Sequence, residues 1–240
     1  MKKIKAEIPN IITLINLLCG CLGILAIFKG DGMTASLMIG LAAVADFFDG
    51  FAARLLKVSS PLGKELDSLA DMVSFGVLPG FILYDLLEQD IEHLTANFNF
   101  SVSYFALLIP LLSAYRLAKF NIDTRQSDSF IGVPTPTNAM FVASLYPILN
   151  AYEGIEWIEN IILNDYFLIG YCIIMSYLLI CELPLIALKF KTFAINDNLY
   201  RYILIGGAVV LGIAFQYLAI PMVLVLYIGL SVVQTLTQKK

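Results

Sequence analysis

The sequence predicts an all-α, polytopic transmembrane bundle of about eight helices, with both termini cytoplasmic and residues 1–240 forming one integral membrane domain. Three observations predict it. The chain is 59% hydrophobic and 14% charged, with a mean hydropathy of +0.83, whereas soluble domains are about 45–50% apolar and about 25% charged. Apolar runs recur at lengths of roughly 17–25 residues, which suit a bilayer core. Basic and acidic residues also fall in alternate loops, as the positive-inside rule requires.

The elements follow in order. The first run, 11–28, comes after Met1-Lys2-Lys3 and has no small-residue cleavage site behind it, so it reads as a helix rather than a signal peptide. Helices are then expected over 33–57 and 64–87, joined by a short segment holding Lys57 and Lys64. The run 100–120 ends in Arg116 and Lys119 and leads into a polar segment, Asn121 to Thr137, rich in Asp, Ser, Thr and Pro. Helices over 136–152 and 164–188 contain Pro147 and Pro184, and membrane helices tolerate such kinks. The last two, 200–216 and 218–236, are separated by the very short turn Phe215 to Pro221. A re-entrant hairpin is the alternative to two full spans there.

The charge map tests this order. Lys2, Lys3 and Lys5 fall on one side, joined by Arg54, Lys57 and Lys64, then Arg116, Lys119 and Arg125, then Lys189, Lys191 and Arg201, and last Lys239 and Lys240. Only Lys29 falls opposite, among loops holding Glu88, Asp90, Glu92, Glu153, Glu156, Glu159 and Asp165. An even number of spans with cytoplasmic termini gives this pattern.

Against that background, four aspartates stand close together at Asp46, Asp49, Asp67 and Asp71. Each carboxylate at membrane depth costs roughly 2.5–3.5 kcal/mol on insertion scales. Asp46 and Asp49 are three apart on one expected helix, and Asp67 and Asp71 four apart on the next, so each pair shares a face. A hairpin brings the faces together as an oxygen-rich site for hard cations such as Mg²⁺ or Mn²⁺. Four carboxylates suit two ions, an arrangement that clamps phosphoryl oxygens during displacement. Gly50 and Ala53 clear bulk beside Asp46 and Asp49. Gly63 sits where the third helix begins, and helix N-termini favour anions. Arg54, Ser60 and Lys64 add charge and hydrogen-bonding capacity for a phosphate, although Arg54 also suits a snorkelling boundary residue. The four cysteines lie in apolar runs without metal-ligand spacing. They read as small buried hydrophobes. His93, the single histidine, lies in an acidic loop.

The window Asp46-x2-Asp49-Gly50-x2-Ala53-Arg54-x8-Gly63-x3-Asp67-x3-Asp71 resembles the signature of the CDP-alcohol phosphatidyltransferase family at every fixed position. The opening Pro9-Asn10-x2-Thr13-x2-Asn16 also resembles the family's entry motif. The resemblance covers at least 9–138, read as the catalytic region, with 139–240 as additional transmembrane helices. It implies displacement of CMP from a CDP-linked lipid by the hydroxyl of an acceptor alcohol. Asp46 and Asp67 would then bridge two divalent cations, Asp49 would complete one site and Asp71 the other, and Asp71 would be the general base. Asn10, Thr13, Asn16, Gly50, Ala53, Arg54, Ser60 and Gly63 would line the CDP-lipid site. A homodimer is implied in the same way.

The acceptor is read from a second segment. Arg116-Leu117-Ala118-Lys119-Phe120-Asn121 followed by Phe130-x-Gly132-x-Pro134-x-Pro136 resembles prokaryotic, membrane-embedded members that use serine. Lys119 stands where Arg is usual and keeps the charge without the planar fork. The resemblance implies CDP-diacylglycerol and L-serine as substrates, phosphatidylserine as product, and a prokaryotic cytoplasmic membrane with the site facing the cytoplasm. Arg116, Lys119 and Asn121 are candidates for the serine subsite. The alternative for Arg116 and Lys119 is to hold lipid phosphate or anchor the helix. Glycerol 3-phosphate or inositol as acceptor is the rival within the family. A divalent-cation transporter with a carboxylate permeation site is the rival outside it.

Overall fold

Two caps fix the hairpin that carries the aspartates. Asp31 accepts the Thr34 N–H at 2.9 Å and starts α2 (Gly32–Leu56). The hydrogen bonds from Thr34 hold the Asp31 carboxyl below the usual carboxylate range. Lys57, at φ 51°, ends α2 in the left-handed conformation that closes many helices. Ser60 then caps α3 (Pro61–Asp71) by accepting the Gly63 N–H at 2.9 Å, with Pro61 at the first helical position. The computed structural model describes residues 2–89, 101–123, 130–186 and 194–238.

The other helices are α1 (Lys2–Ile27), α4 (Leu78–Glu88), α5 (Leu108–Ile122), α6 (Thr135–Ala151), α7 (Glu156–Ile162), α8 (Asp165–Ile180), α9 (Ile195–Phe215) and α10 (Ala219–Gln238). A π-helical turn, Met72–Val77, joins α3 to α4, and a 3₁₀ segment, Val102–Leu107, leads into α5. The expected 64–87 helix is thus one rod with an internal π turn. Five stretches are long and apolar enough to cross a membrane: 7–27, 32–56, 61–88, 102–122 and 198–237. The bent pair α7–α8, at 48°, makes a sixth if it is one span. At 40 residues, 198–237 is about twice what a bilayer core needs. It folds back at Gln216 (φ 48°), so α9 and α10 pack against each other and each is long enough to span. The chain is an all-helical, polytopic integral membrane protein.

Several expected boundaries move, with α1 beginning at Lys2 rather than at 11 and α9 at Ile195 rather than at 200. The helix predicted over 164–188 ends at Ile180. Beyond it, Pro184–Leu185 form a short strand, β2, paired antiparallel with β1 (Phe130–Ile131). Cys181 leaves the helix with an extended ψ of 154°, and Pro184 biases Leu183 before it toward extended backbone. The expected roles of Asp90, Glu92, His93, Arg125, Lys189, Lys191, Lys239 and Lys240 lie outside the described residues.

The buried core centres on α4, where Leu78, Ile82, Leu83, Leu86 and Leu87 are fully enclosed together with Phe75. On α2, Ala35, Ile39, Ala42 and Ala45 form one buried stripe. Its small side chains permit close helix contact. Asp49 continues that stripe toward the end of α2 that leads into α3, which is why its carboxylate points into the bundle. Outward-facing Leu18, Leu25, Phe47, Leu55 and Val225 remain exposed, as a lipid-facing surface requires. Cys21 is exposed there too, against the expectation of a buried hydrophobe; all four cysteines are free.

Candidate active site at an aspartate cluster

α2 and α3, joined by a short turn and both packed on α1, bring Asp46, Asp49 and Asp67 together, with one oxygen of each within 4.8 Å of the others. Asp49 is 6% exposed, while Asp46 and Asp67 are half-buried. Three convergent carboxylates are a hard, all-oxygen donor set, which fits a divalent cation such as Mg²⁺ or Mn²⁺. Asp71 lies one turn beyond Asp67 and is not one of that trio. Its Oδ1 accepts a hydrogen bond from Asn16 Nδ2 at 3.1 Å.

A cleft of about 270 Å³ opens beside the trio. Of the expected CDP-lipid residues, Asn10, Thr13, Gly50, Ala53, Ser60 and Gly63 line it, with Asp49 and Asp67. Thr13 sits between cleft and cluster, its hydroxyl 2.6 Å from Asp49 Oδ2 and 3.0 Å from the Pro9 carbonyl. Asn10 donates to Glu7 Oε2 at 3.1 Å. Its Oδ1 lies 3.1 Å from where a Cβ on Gly63 would stand, so Gly63 keeps α1 and α3 close. The Gly63 N–H is taken by the Ser60 cap, so the anion-binding part of the expectation at Gly63 does not rest on that group. Arg54 is exposed, with its guanidinium about 3.8 Å from the open side of Gly50, and does not line the cleft. Asn16 is fully buried behind the cleft.

The segment expected to select the acceptor has a different local setting. Arg116, 7% exposed, donates from Nη1 to the Ile131 carbonyl at 2.8 Å and the Leu179 carbonyl at 3.2 Å. Val133 N–H bonds the Leu178 carbonyl at 2.9 Å and Gly132 N–H the Leu183 carbonyl at 2.9 Å. Gly132 has φ +72°, and a Cβ there would stand 2.8 Å from the Leu179 carbonyl oxygen. Together these residues dock the 130–136 segment on the open carbonyl end of α8. Lys119 Nζ lies 3.5 Å from Glu182 Oε1. Asn121 donates to Ser68 Oγ at 2.9 Å and its carbonyl accepts Lys64 Nζ at 2.8 Å, which ties α5 to α3 next to Asp67. Arg116 and Lys119 flank a gap of only about 10 Å³.

Sequence reasoning missed Pro9, Val58 and Ser59 in the cleft wall. Pro9 belongs to the entry motif and so carried a signal. Val58 and Ser59 carried none, because their place depends on how the α2–α3 turn folds.

A model of the CDP-alcohol phosphatidyltransferase family matches residues 6–187, which hold both the cluster and the cleft. The chain belongs to this family. The match runs past residue 138 through α8, so α9 and α10 lie beyond it. Among similar proteins is the CDP-diacylglycerol–serine O-phosphatidyltransferase of Helicobacter pylori, 30% identical over 224 residues, covering 92% of this chain and 89% of the relative. The enzyme of the same name from Bacillus subtilis is 37% identical over 138 residues, 58% of this chain and 74% of its own length. The archaetidylserine synthase of Methanothermobacter thermautotrophicus is 31% identical over 150 residues, 60% of each chain. As a phosphatidyltransferase of this family, the protein catalyses transfer of a substituted phosphate group, and the carboxylate cluster beside a cleft is suited to it.

Proposed function

We propose that this protein is a CDP-diacylglycerol–serine O-phosphatidyltransferase acting with two divalent cations, Mg²⁺ or Mn²⁺, in a prokaryotic cytoplasmic membrane. The observation that carries the reading is the meeting of the Asp46–Asp49–Asp67 trio with the cleft formed by both signature motifs. The serine in the acceptor position rests on the relatives above, whose names all specify serine, as the acceptor in two and within the product in the third.

The cleft holds the CDP moiety between α1 and the α2–α3 turn, with Asn10, Gly50, Ala53, Ser60 and Gly63 against it and Arg54 and Lys64 at its rim. Asp46 and Asp67 would hold both cations, Asp49 completing one set and Asp71 the other. Bound there, the cations neutralise charge on the pyrophosphate oxygens and favour departure of CMP. The serine Oγ bonds to the phosphorus that carries diacylglycerol. That phosphorus gives up its bond to CMP, which leaves with the bridging oxygen and its electron pair, and the serine proton passes to Asp71. Base catalysis of this kind is worth roughly 10²–10⁴ in rate.

Arg116, Lys119 and Asn121 remain candidates for the serine subsite, Arg116 for the carboxylate. The two carbonyl bonds of Arg116 favour the anchoring role instead. Cytoplasmic termini, a cytoplasm-facing site and a homodimer complete the proposal, the last resting on family resemblance alone. Purified protein with Mn²⁺ and CDP-diacylglycerol should release CMP in a serine-dependent manner and form phosphatidylserine. Release driven by glycerol 3-phosphate or inositol, with none from serine, overturns the acceptor assignment.

A further inference from the structure

Asn16 has no place in the cleft wall. It is 0% exposed, lies one turn beyond Thr13 on α1, and turns its amide to Asp71. The side-chain NH₂ of Asn16 faces Asp71 Oδ1, the polarity that suits a carboxylate acting as acceptor. Its setting is rigid as well. The Asn16 carbonyl accepts the Ser74 hydroxyl at 2.9 Å, from the π turn that directly follows Asp71. This bond ties α1 to α3 and α4 at the depth of the carboxylate. π turns within helices recur at functional sites.

The other half of the amide gives the second observation. Among the described residues, Asn16 Oδ1 is buried without a hydrogen-bond partner. Buried polar atoms are nearly always satisfied, and an apolar side chain at this position would strand no acceptor. The arrangement is consistent with a residue kept polar for its Nδ2 contact. Thr13 makes the parallel contact one turn earlier, to Asp49. α1 therefore supplies one donor to a carboxylate of α2 and one to a carboxylate of α3.

We infer that Asn16 is a positioning residue for Asp71: its Nδ2 holds Oδ1 and so fixes the orientation of the carboxylate for the roles given to it above. The inference rests on the reading of Asp71 as general base, and it gives Asn16 a different task from contact with the CDP-lipid.

The test uses the full chain with Mn²⁺, CDP-diacylglycerol and whichever alcohol the wild type accepts. Asn16→Ala should lower kcat by roughly 10–100-fold, the usual scale for loss of a supporting contact. The equilibrium Kd for CDP-diacylglycerol should stay within about twofold, since no cleft residue changes. The double variant Asn16→Ala/Asp71→Asn should be no slower than Asp71→Asn alone, because both act through one group. If Asn16→Ala does not fold, Asn16→Gln, which keeps the amide at a displaced position, should show the same split between kcat and Kd. A weakened Kd with kcat retained makes Asn16 a substrate contact and overturns the inference. So does wild-type turnover in the single variant, or a double variant slowed by the full product of the two. Wild-type turnover with an alcohol other than serine overturns the serine assignment alone and leaves this test intact.

Discussion

Asp49 shows how one residue serves both packing and chemistry. It continues the Ala35–Ile39–Ala42–Ala45 stripe, so helical geometry alone turns it inward, and the Thr13 hydroxyl stands 2.6 Å from it. A hydrogen bond to a charged group contributes about 1.5–3 kcal/mol, and supporting partners commonly tune metal affinity by 10–100-fold. Thr13→Val keeps the shape and removes the donor. It should weaken Mn²⁺ binding about tenfold, with Thr13→Ser close to wild type, as read by titration of the free-ion electron paramagnetic resonance signal. Equal Mn²⁺ affinity in Thr13→Val and wild type would show that this contact does not support the ion site. The motif's spacing made Thr13 visible in the sequence, but its partner was not, because Thr13 and Asp49 are 36 positions apart.

At the scale of elements, the informative unit is the junction of α5, β1 and α8. The last carbonyls of a helix need partners, and a cation is favoured at that end. Arg116, Val133 and the close approach of Gly132 meet those needs at Leu178 and Leu179. Gly132→Ala should destabilise the protein by more than about 1 kcal/mol, because φ is positive and the added methyl meets a backbone oxygen; thermal unfolding in detergent measures this. Arg116→Ala should lower the Tm and raise KM for serine and CDP-lipid by similar factors. A rise confined to serine, with Tm unchanged, would establish direct contact with the serine carboxylate. The motif Phe130-x-Gly132-x-Pro134-x-Pro136 was legible as a pattern, yet its docking on α8 was not. Hydropathy ran the helix on to 188 because Leu183, Leu185 and Ile186 look as apolar as the residues before them.

For the whole molecule, the decisive arrangement is an apolar exterior around a polar cluster at one end. Leu18, Leu25, Phe47 and Leu55 would invite aggregation in water, and lipid makes them harmless. Antiparallel packing of α1 and α2 sets Lys29 at the opposite end of the hairpin from Lys57, and the Lys64–Asn121 bond brings the end of α5 to the Lys57 side. In a cysteine-free background, an impermeant maleimide should label Lys29→Cys in intact cells and Lys57→Cys only after the membrane is opened. The reverse pattern would invert the proposed topology. α9 and α10 lie beyond the family match and join the bundle chiefly through α10, which packs on α6 and β2.

The sequence by itself determined the fold class, the order of the helices and the reaction family. Hydrophobic length, charge alternation and the fixed offsets of four aspartates are local properties, and local properties survive in one dimension. Only the tertiary structure decided which atoms meet. It drew Asp46, Asp49 and Asp67 into one cluster, joined Asp71 to Asn16, and turned Arg116 toward the end of α8. Those partners lie 55 and 63 positions apart in the last two contacts. Contacts at such separations are set by helix rotation and crossing, to which no periodicity within a single helix is sensitive.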